Sequence, residues 1–170
     1  TTGRPLVWAT AQFLAFAPVG TTMLIEVTEA VRGHQVSQAR AVGRVDGTEI
    51  LTVNAALGRR PSEFAGSWEQ MPEVPPPEAC PPRRLQARHM NSIMANVEMR
   101  MARARDMETF PAEPGDGRSA LWVRMGDLDL TQASLLAIFG DFVPFGIGQA
   151  LGQRAGGNSI DNPLRVAHRH

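Results

Sequence analysis

Residues 130–162 read LTQASLLAIFGDFVPFGIGQALGQRAGGNSIDN, and this stretch decides the fold. Leu130, Ala133, Leu136, Ala137 and Gly140 recur at helical spacing, which predicts an amphipathic helix from about Thr131 into the 140s. Asp129 or Thr131 suits its N-cap, and Pro144 kinks or ends it. One carboxylate, Asp141, sits in this apolar run. Burying an ionised side chain among apolar groups is costly unless it is paired or hydrogen-bonded. Asp141 therefore either faces solvent or is held for chemistry. A glycine turn at Gly156 and Gly157 leads into Asn158-Ser159-Ile160-Asp161-Asn162, and Leu164 to His168 reads as a strand. The expectation is that Asp141 and Ser159 come together in space.

Upstream of this stretch the pattern is strand-like. Residues 5 to 16 are rich in strand formers, and a Pro18-Val19-Gly20 turn follows. Met23 to Val31 is expected as a strand with Ile25, Val27 and Val31 on one face and Glu26 and Thr28 on the other. Val36 to Val45 is the next strand. Asp46-Gly47 is the strongest hairpin signal, because both central positions of a type I′ turn require positive φ. Ile50 to Leu57 returns. These runs predict an antiparallel meander over residues 5 to 58, since short connections demand antiparallel pairing.

Between Pro61 and Pro82 the composition changes. MPEVPPPEACPP lacks backbone donors at its prolines and reads as an extended linker. Beyond it, Ile93 to Arg105 alternates, with Val97, Met99 and Met101 opposite Glu98 and Arg100, and is read as strand in preference to helix. Ser119 to Met125 is another strand. The predicted domains are 1–60, a Pro-rich linker over 61–90, and 91–170.

Composition narrows the function. The 170 residues suffice for one domain or two small ones, with 43% hydrophobic and 20% charged residues. Zero formal net charge gives no electrostatic ground for a nucleic-acid partner. No apolar run is long enough to span a membrane. The single cysteine, Cys80, excludes an intrachain disulfide and favours a reducing, cytoplasmic setting. The sequence opens without Met and stops within a strand-like run, as expected for part of a longer protein.

Other candidates have ordinary explanations. Arg83, Arg84 and Arg88 form a basic stretch able to meet phosphates, although solvated arginines are commoner. His34, His89, His168 and His170 lack metal-ligand spacing. Cys80 has no acid–base partner nearby. Asp161 and Asn162 suit a turn or a strand start. No cofactor and no metal is expected.

In three places the residues resemble a family, the type-II acyl-CoA thioesterases with two hotdog domains in one chain. The first is Phe13 to Gly20 followed by Val36 to Gly47, similar to the strands of the amino-terminal hotdog. The second is Ala120-Leu121-Trp122-Val123-Arg124. The third is Ala137 to Phe142 followed by Ser159-Ile160-Asp161-Asn162, similar to the Asp-bearing helix and the next strand. The resemblance implies an α+β double hotdog, an antiparallel sheet wrapped around a central helix in two repeats, here partial. It places the first hotdog's helix before Thr1, and the last strands of the second, with a catalytic Gln, after His170. It implies acyl-CoA as substrate, hydrolysed to free fatty acid and CoA by a water that Asp141 and Ser159 activate, and a homo-oligomer. The alternative on the same fold is a non-catalytic acyl-CoA or acyl-group binding protein. A dehydratase of this fold would need a His at a helix start, which is not found.

Overall fold

The computed structural model describes residues 3–59, 66, 68, 70–126, 132–141 and 145–166. The chain divides into two units, one within residues 1–66 and 159–170, the other within 67–158.

The first unit is a five-stranded antiparallel sheet. Its strands are β1 (Leu6–Phe13), β2 (Leu24–Arg32), β3 (Val36–Val45), β4 (Thr48–Gly58) and β7 (Asp161–Arg165), in spatial order β2-β3-β4-β1-β7. The Asp46-Gly47 hairpin forms as expected, with φ of 48° and 81°. This turn sets the β3–β4 register, from Val45↔Thr48 to Val36↔Gly58.

The expected meander needs one correction. β2, β3 and β4 do follow one another, but β1 pairs with β4 and not with β2. Residues 14–23 between β1 and β2 are too many for a tight hairpin, which leaves β1 free to take the open edge of β4.

The register explains which residues share a face, because side chains alternate strictly along each strand. Val27, Ala41, Val53 and Ala11 lie across from one another in one row; Thr28, Arg40, Asn54, Thr10 and Pro163 lie in the next. One face is thus apolar and the other polar. Val31 departs from the expected face. An irregularity between Glu29 and Val31 shifts the register. The extra residue moves Val31 to the polar side with Gln38, opposite Ile25 and Val27. A second irregularity, between Gly43 and Arg44, lies opposite Ile50. Ile50 is buried, and its carbonyl accepts from the N–H groups of Leu14 and Ala15.

In the second unit, β5 (Val97–Arg103) pairs with β6 (Ala120–Met125). The expected alternation holds. Met99 and Met101 are buried, opposite Val123 and Leu121. On the other side Arg100 donates to Glu98 at 3.0 Å and Arg124 to the same carboxylate at 2.5 Å. The strand begins later than expected, since Ile93–Asn96 form a 3-10 turn capped by the Ser92 hydroxyl. The Pro-rich run is extended except for a 3-10 turn at Pro77–Ala79, and its end lies along β5. Met101 N–H donates to Pro81 C=O and Arg83 N–H to Met99 C=O, both at 2.9 Å. An edge position suits prolines, which lack a donor for the ladder. The Trp122 indole N–H donates to Pro75 C=O at 2.9 Å.

Two helices complete this unit, α1 (Gln132–Gly140) and α2 (Phe145–Leu151). The expected caps Asp129 and Thr131, and Pro144 at the predicted kink, lie outside the described residues. The helix face differs from the expected stripe. Leu136 and Ala137 are exposed, whereas Ser134, Leu135, Ile138 and Phe139 are half-buried. Nor does the sequence pattern announce α2 as a separate helix. Its end is fastened by backbone bonds: Ala112 N–H donates to Gly152 C=O at 2.8 Å and Gly115 N–H to Ala150 C=O at 3.0 Å.

Candidate active site

Asp141 follows the last residue of α1 and is exposed. Its N–H donates to Ile138 C=O at 3.2 Å, closing the final turn. The carboxylate thus stands at the end of the helix, not within it. A three-residue closing bond of this kind tightens a helix terminus, and Gly140 just before it is a natural stopping point. Asp141 belongs to the second unit.

Ser159 belongs to the first unit and is half-buried. Its backbone is set by the strand it introduces. Ile160 C=O accepts from Phe13 N–H at 2.9 Å, and Asp161 then pairs with Gln12 and Asn162 with Ala11. Asp161 is exposed at the strand start, as its turn-like reading anticipated.

The remaining sequence candidates separate clearly. His34 is exposed, and its carbonyl accepts from Arg4 at 3.2 Å. His168 and His170 lie outside the described residues. Among the described residues no group of His, Cys, Asp and Glu is placed to hold a metal ion. Cys80 is buried, with its sulfur 3.3 and 3.5 Å from the carbonyls of Pro76 and Pro75, a packed thiol. The basic stretch is not uniform. Arg84 pairs with Glu108 at 2.9 Å. Arg83 reaches the Met99 sulfur at 3.1 Å, and burial pushes its guanidinium below the ordinary arginine value. The side chain of Arg88 lies outside the described residues.

Sequence reading passed over three polar residues that are buried among the described ones, Ser37, Thr52 and Gln149. Ser37 is fully buried, and its hydroxyl accepts from Arg4 at 3.1 Å. Gln149 is 5% exposed, and its amide makes both backbone bonds of Arg105, accepting from its N–H at 2.8 Å and donating to its C=O at 2.9 Å. A side-chain amide mimicking a strand partner has no local sequence signature, since its mate lies 44 residues away.

Among the described residues three carboxylates titrate below their ordinary range. Glu29 is lowered by hydrogen bonds from Arg32 and Ser37. Glu98 is lowered by Arg124 and then Arg100. Asp116 is lowered first by the Arg118 N–H. A depressed folded-state pKa contributes stability that is present above the unfolded value and lost as pH falls through the folded value. Thermal denaturation should therefore show a constant Tm near neutrality and a fall once pH drops below the usual Glu and Asp values of 4.5 and 3.8. Arg124→Gln should shrink that fall, and an unchanged profile in this variant would contradict the assignment. Asp116 is exposed and Glu29 and Glu98 are half-buried and still reached by solvent, so each effect is small.

No helix among the described residues is long and apolar enough to cross a membrane. No protein-family model matches the sequence, and no curated protein does. Solved structures do match. A provisionally assigned thioesterase of Novosphingobium aromaticivorans is 36% identical with a TM-score of 0.77; the match covers 98% of this chain and 63% of that one. A hot dog fold protein of unknown function from Alicyclobacillus acidocaldarius is 22% identical, also with a TM-score of 0.77, over 95% and 59% of the two chains. A tesB protein of Mycobacterium avium subs paratuberculosis is 19% identical with a TM-score of 0.72, over 99% and 62%. The chain spans about three-fifths of the length of these structures. It has the hotdog fold and is similar in sequence and structure to a provisionally assigned thioesterase, in keeping with its resemblance to the type-II acyl-CoA thioesterase family.

Proposed function

We propose that the full-length protein hydrolyses acyl-CoA thioesters to free fatty acid and CoA. The observation that carries this reading is the 36% identity to the provisionally assigned thioesterase across almost the whole chain. The chain also holds two of the three groups the resemblance calls for, a carboxylate just after α1 and a hydroxyl just before β7, the third being the Gln expected after His170.

In this mechanism Asp141 acts as general base and takes a proton from water. The Ser159 hydroxyl, donor and acceptor at once, holds that water in line with the thioester carbonyl. Attack forms the C–O bond and places negative charge on the carbonyl oxygen, where a backbone N–H stabilises it. Collapse breaks the C–S bond, and the proton on Asp141 passes to the leaving thiolate. One acyl-CoA and one water give one acid and one thiol.

The two-hotdog division, with residues 1–60 and 91–170 belonging to successive repeats joined through 61–90, accompanies this reading. The β1–β7 ladder pairs a strand of the first stretch with one of the last. A homo-oligomer in the cytoplasm is the proposed setting. Thiol release from a fatty acyl-CoA by the full-length protein tests the activity. Saturable release supports it. Binding of acyl-CoA without release would instead indicate the non-catalytic binding protein on the same fold.

A further inference from the structure

We propose that a cleft at the open end of the β5–β6 ladder, lined by neither Asp141 nor Ser159, is a binding site for a phosphate group. The site follows from the strand register. Arg103 lies across from Ala120. Continuing that pairing by two residues outward on each strand would set Arg105 opposite Arg118, on the same side of the ladder as Arg103. The end of the ladder thus brings three guanidinium-bearing residues to one place. They line a cleft of about 370 Å³ together with Asp116, Gln149 and the glycines on either side of Asp116.

The charges do not cancel. Arg103 pairs with Asp116, and the Arg118 N–H donates to the same carboxylate at 3.0 Å, which keeps it ionised. Three cations against one anion leave a formal charge of +2 at the cleft, in a chain whose formal net charge is zero. Among the described residues Arg118 makes no side-chain hydrogen bond, so its fork is available to a ligand. Arg105 is held in advance. Buried Gln149 fixes its backbone on both sides, and its guanidinium donates to Glu113 C=O at 2.5 Å, leaving further N–H groups unused. Gly115 and Gly117 leave the wall without side chains. Planar guanidinium forks match the oxygens of a phosphate, and such charge-assisted bonds are among the strongest available to a surface site. A small carboxylate would fill only part of the space and one fork, so a phosphate monoester or diphosphate is the better ligand.

The test is calorimetric binding of pyrophosphate to the full-length protein, wild type and Arg118→Gln, with coenzyme A as competitor. Wild type should bind pyrophosphate, and Arg118→Gln should weaken binding about tenfold, the scale of one charge-assisted hydrogen bond. Arg118→Lys should recover only part of it. Competition by coenzyme A that is also weakened in Arg118→Gln would show that the phosphate is carried by a coenzyme A ligand. Failure of coenzyme A to compete would show a site for free phosphates. Both results support the cleft. Absence of pyrophosphate binding, or equal binding by wild type and Arg118→Gln, overturns it. None of these outcomes depends on turnover, so failure of the cleft and failure of the hydrolase reading are separable.

Discussion

Asp141→Ala should lower kcat/KM for acyl-CoA hydrolysis by about 10²–10⁴-fold, the usual contribution of a positioned general base. The loss should fall on kcat, since the carboxylate acts on water and not on the bulk of the substrate. The closing turn of α1 should survive the substitution. Asp141 is exposed, and the hydrogen bond that closes α1 comes from its backbone N–H, which alanine retains. This separation makes the variant informative: a folded protein with normal acyl-CoA binding and almost no thiol release is the expected result. Full activity in Asp141→Ala would remove the carboxylate from the mechanism, whatever the fold. Asp141→Asn should be as slow, because the amide keeps the shape but cannot accept the proton.

The largest effect on stability is expected from Gly152→Ala. Gly152 ends α2 with φ of 65°, a left-handed conformation that costs an L-residue about 1–2 kcal/mol. A Cβ there would lie 2.1 Å from the Ala112 carbonyl oxygen and 2.9 Å from the Glu113 carbonyl carbon. Both are backbone atoms, and Ala112 is itself tied to Gly152 by its N–H. Relief requires breaking that bond and displacing the loop that carries Gly115 and the Arg105 contacts. Overpacking of this kind adds about 1–3 kcal/mol, so the total is about 2–5 kcal/mol. Urea denaturation should show it as a lower midpoint. Gly156→Ala is the control, with no atom within 4 Å of the new methyl. A surface change of this type should stay within about 0.5 kcal/mol. Equal midpoints for both variants would contradict the packing described for α2.

What sequence could foretell divides along the range of the interactions. The β3–β4 hairpin was legible because Asp46 and Gly47 encode their own backbone angles. β5 was legible because Val97, Met99 and Met101 alternate with charged residues that pair across the ladder. β1 was legible as a strand, but its partner was not. Pairing with β4 rather than β2 is a choice between edges, made by the whole sheet. β7 pairs with a strand some 150 residues earlier, and no local pattern reports that. Val31 went to the unexpected face because one extra residue in β2 reverses the alternation. Glycines at 146 and 148 hid α2, since they are poor helix formers tolerated here by close packing; Gly148 is buried beside Gln149. The site was legible as residue types and order, an acid ending an apolar helix and an alcohol before a strand. Residues that act through distant backbone, such as Gln149, were not.

The central claim is that Asp141 and Ser159 act on one water. A double-mutant cycle on kcat/KM in the full-length protein, with Asp141→Ala, Ser159→Ala and the combined variant, tests it most directly. Groups that act as a unit are strongly non-additive. The account predicts that each single variant is severely impaired and that the combined variant is scarcely slower than Asp141→Ala alone. Effects that multiply independently, or a Ser159→Ala variant at the wild-type rate, would contradict it.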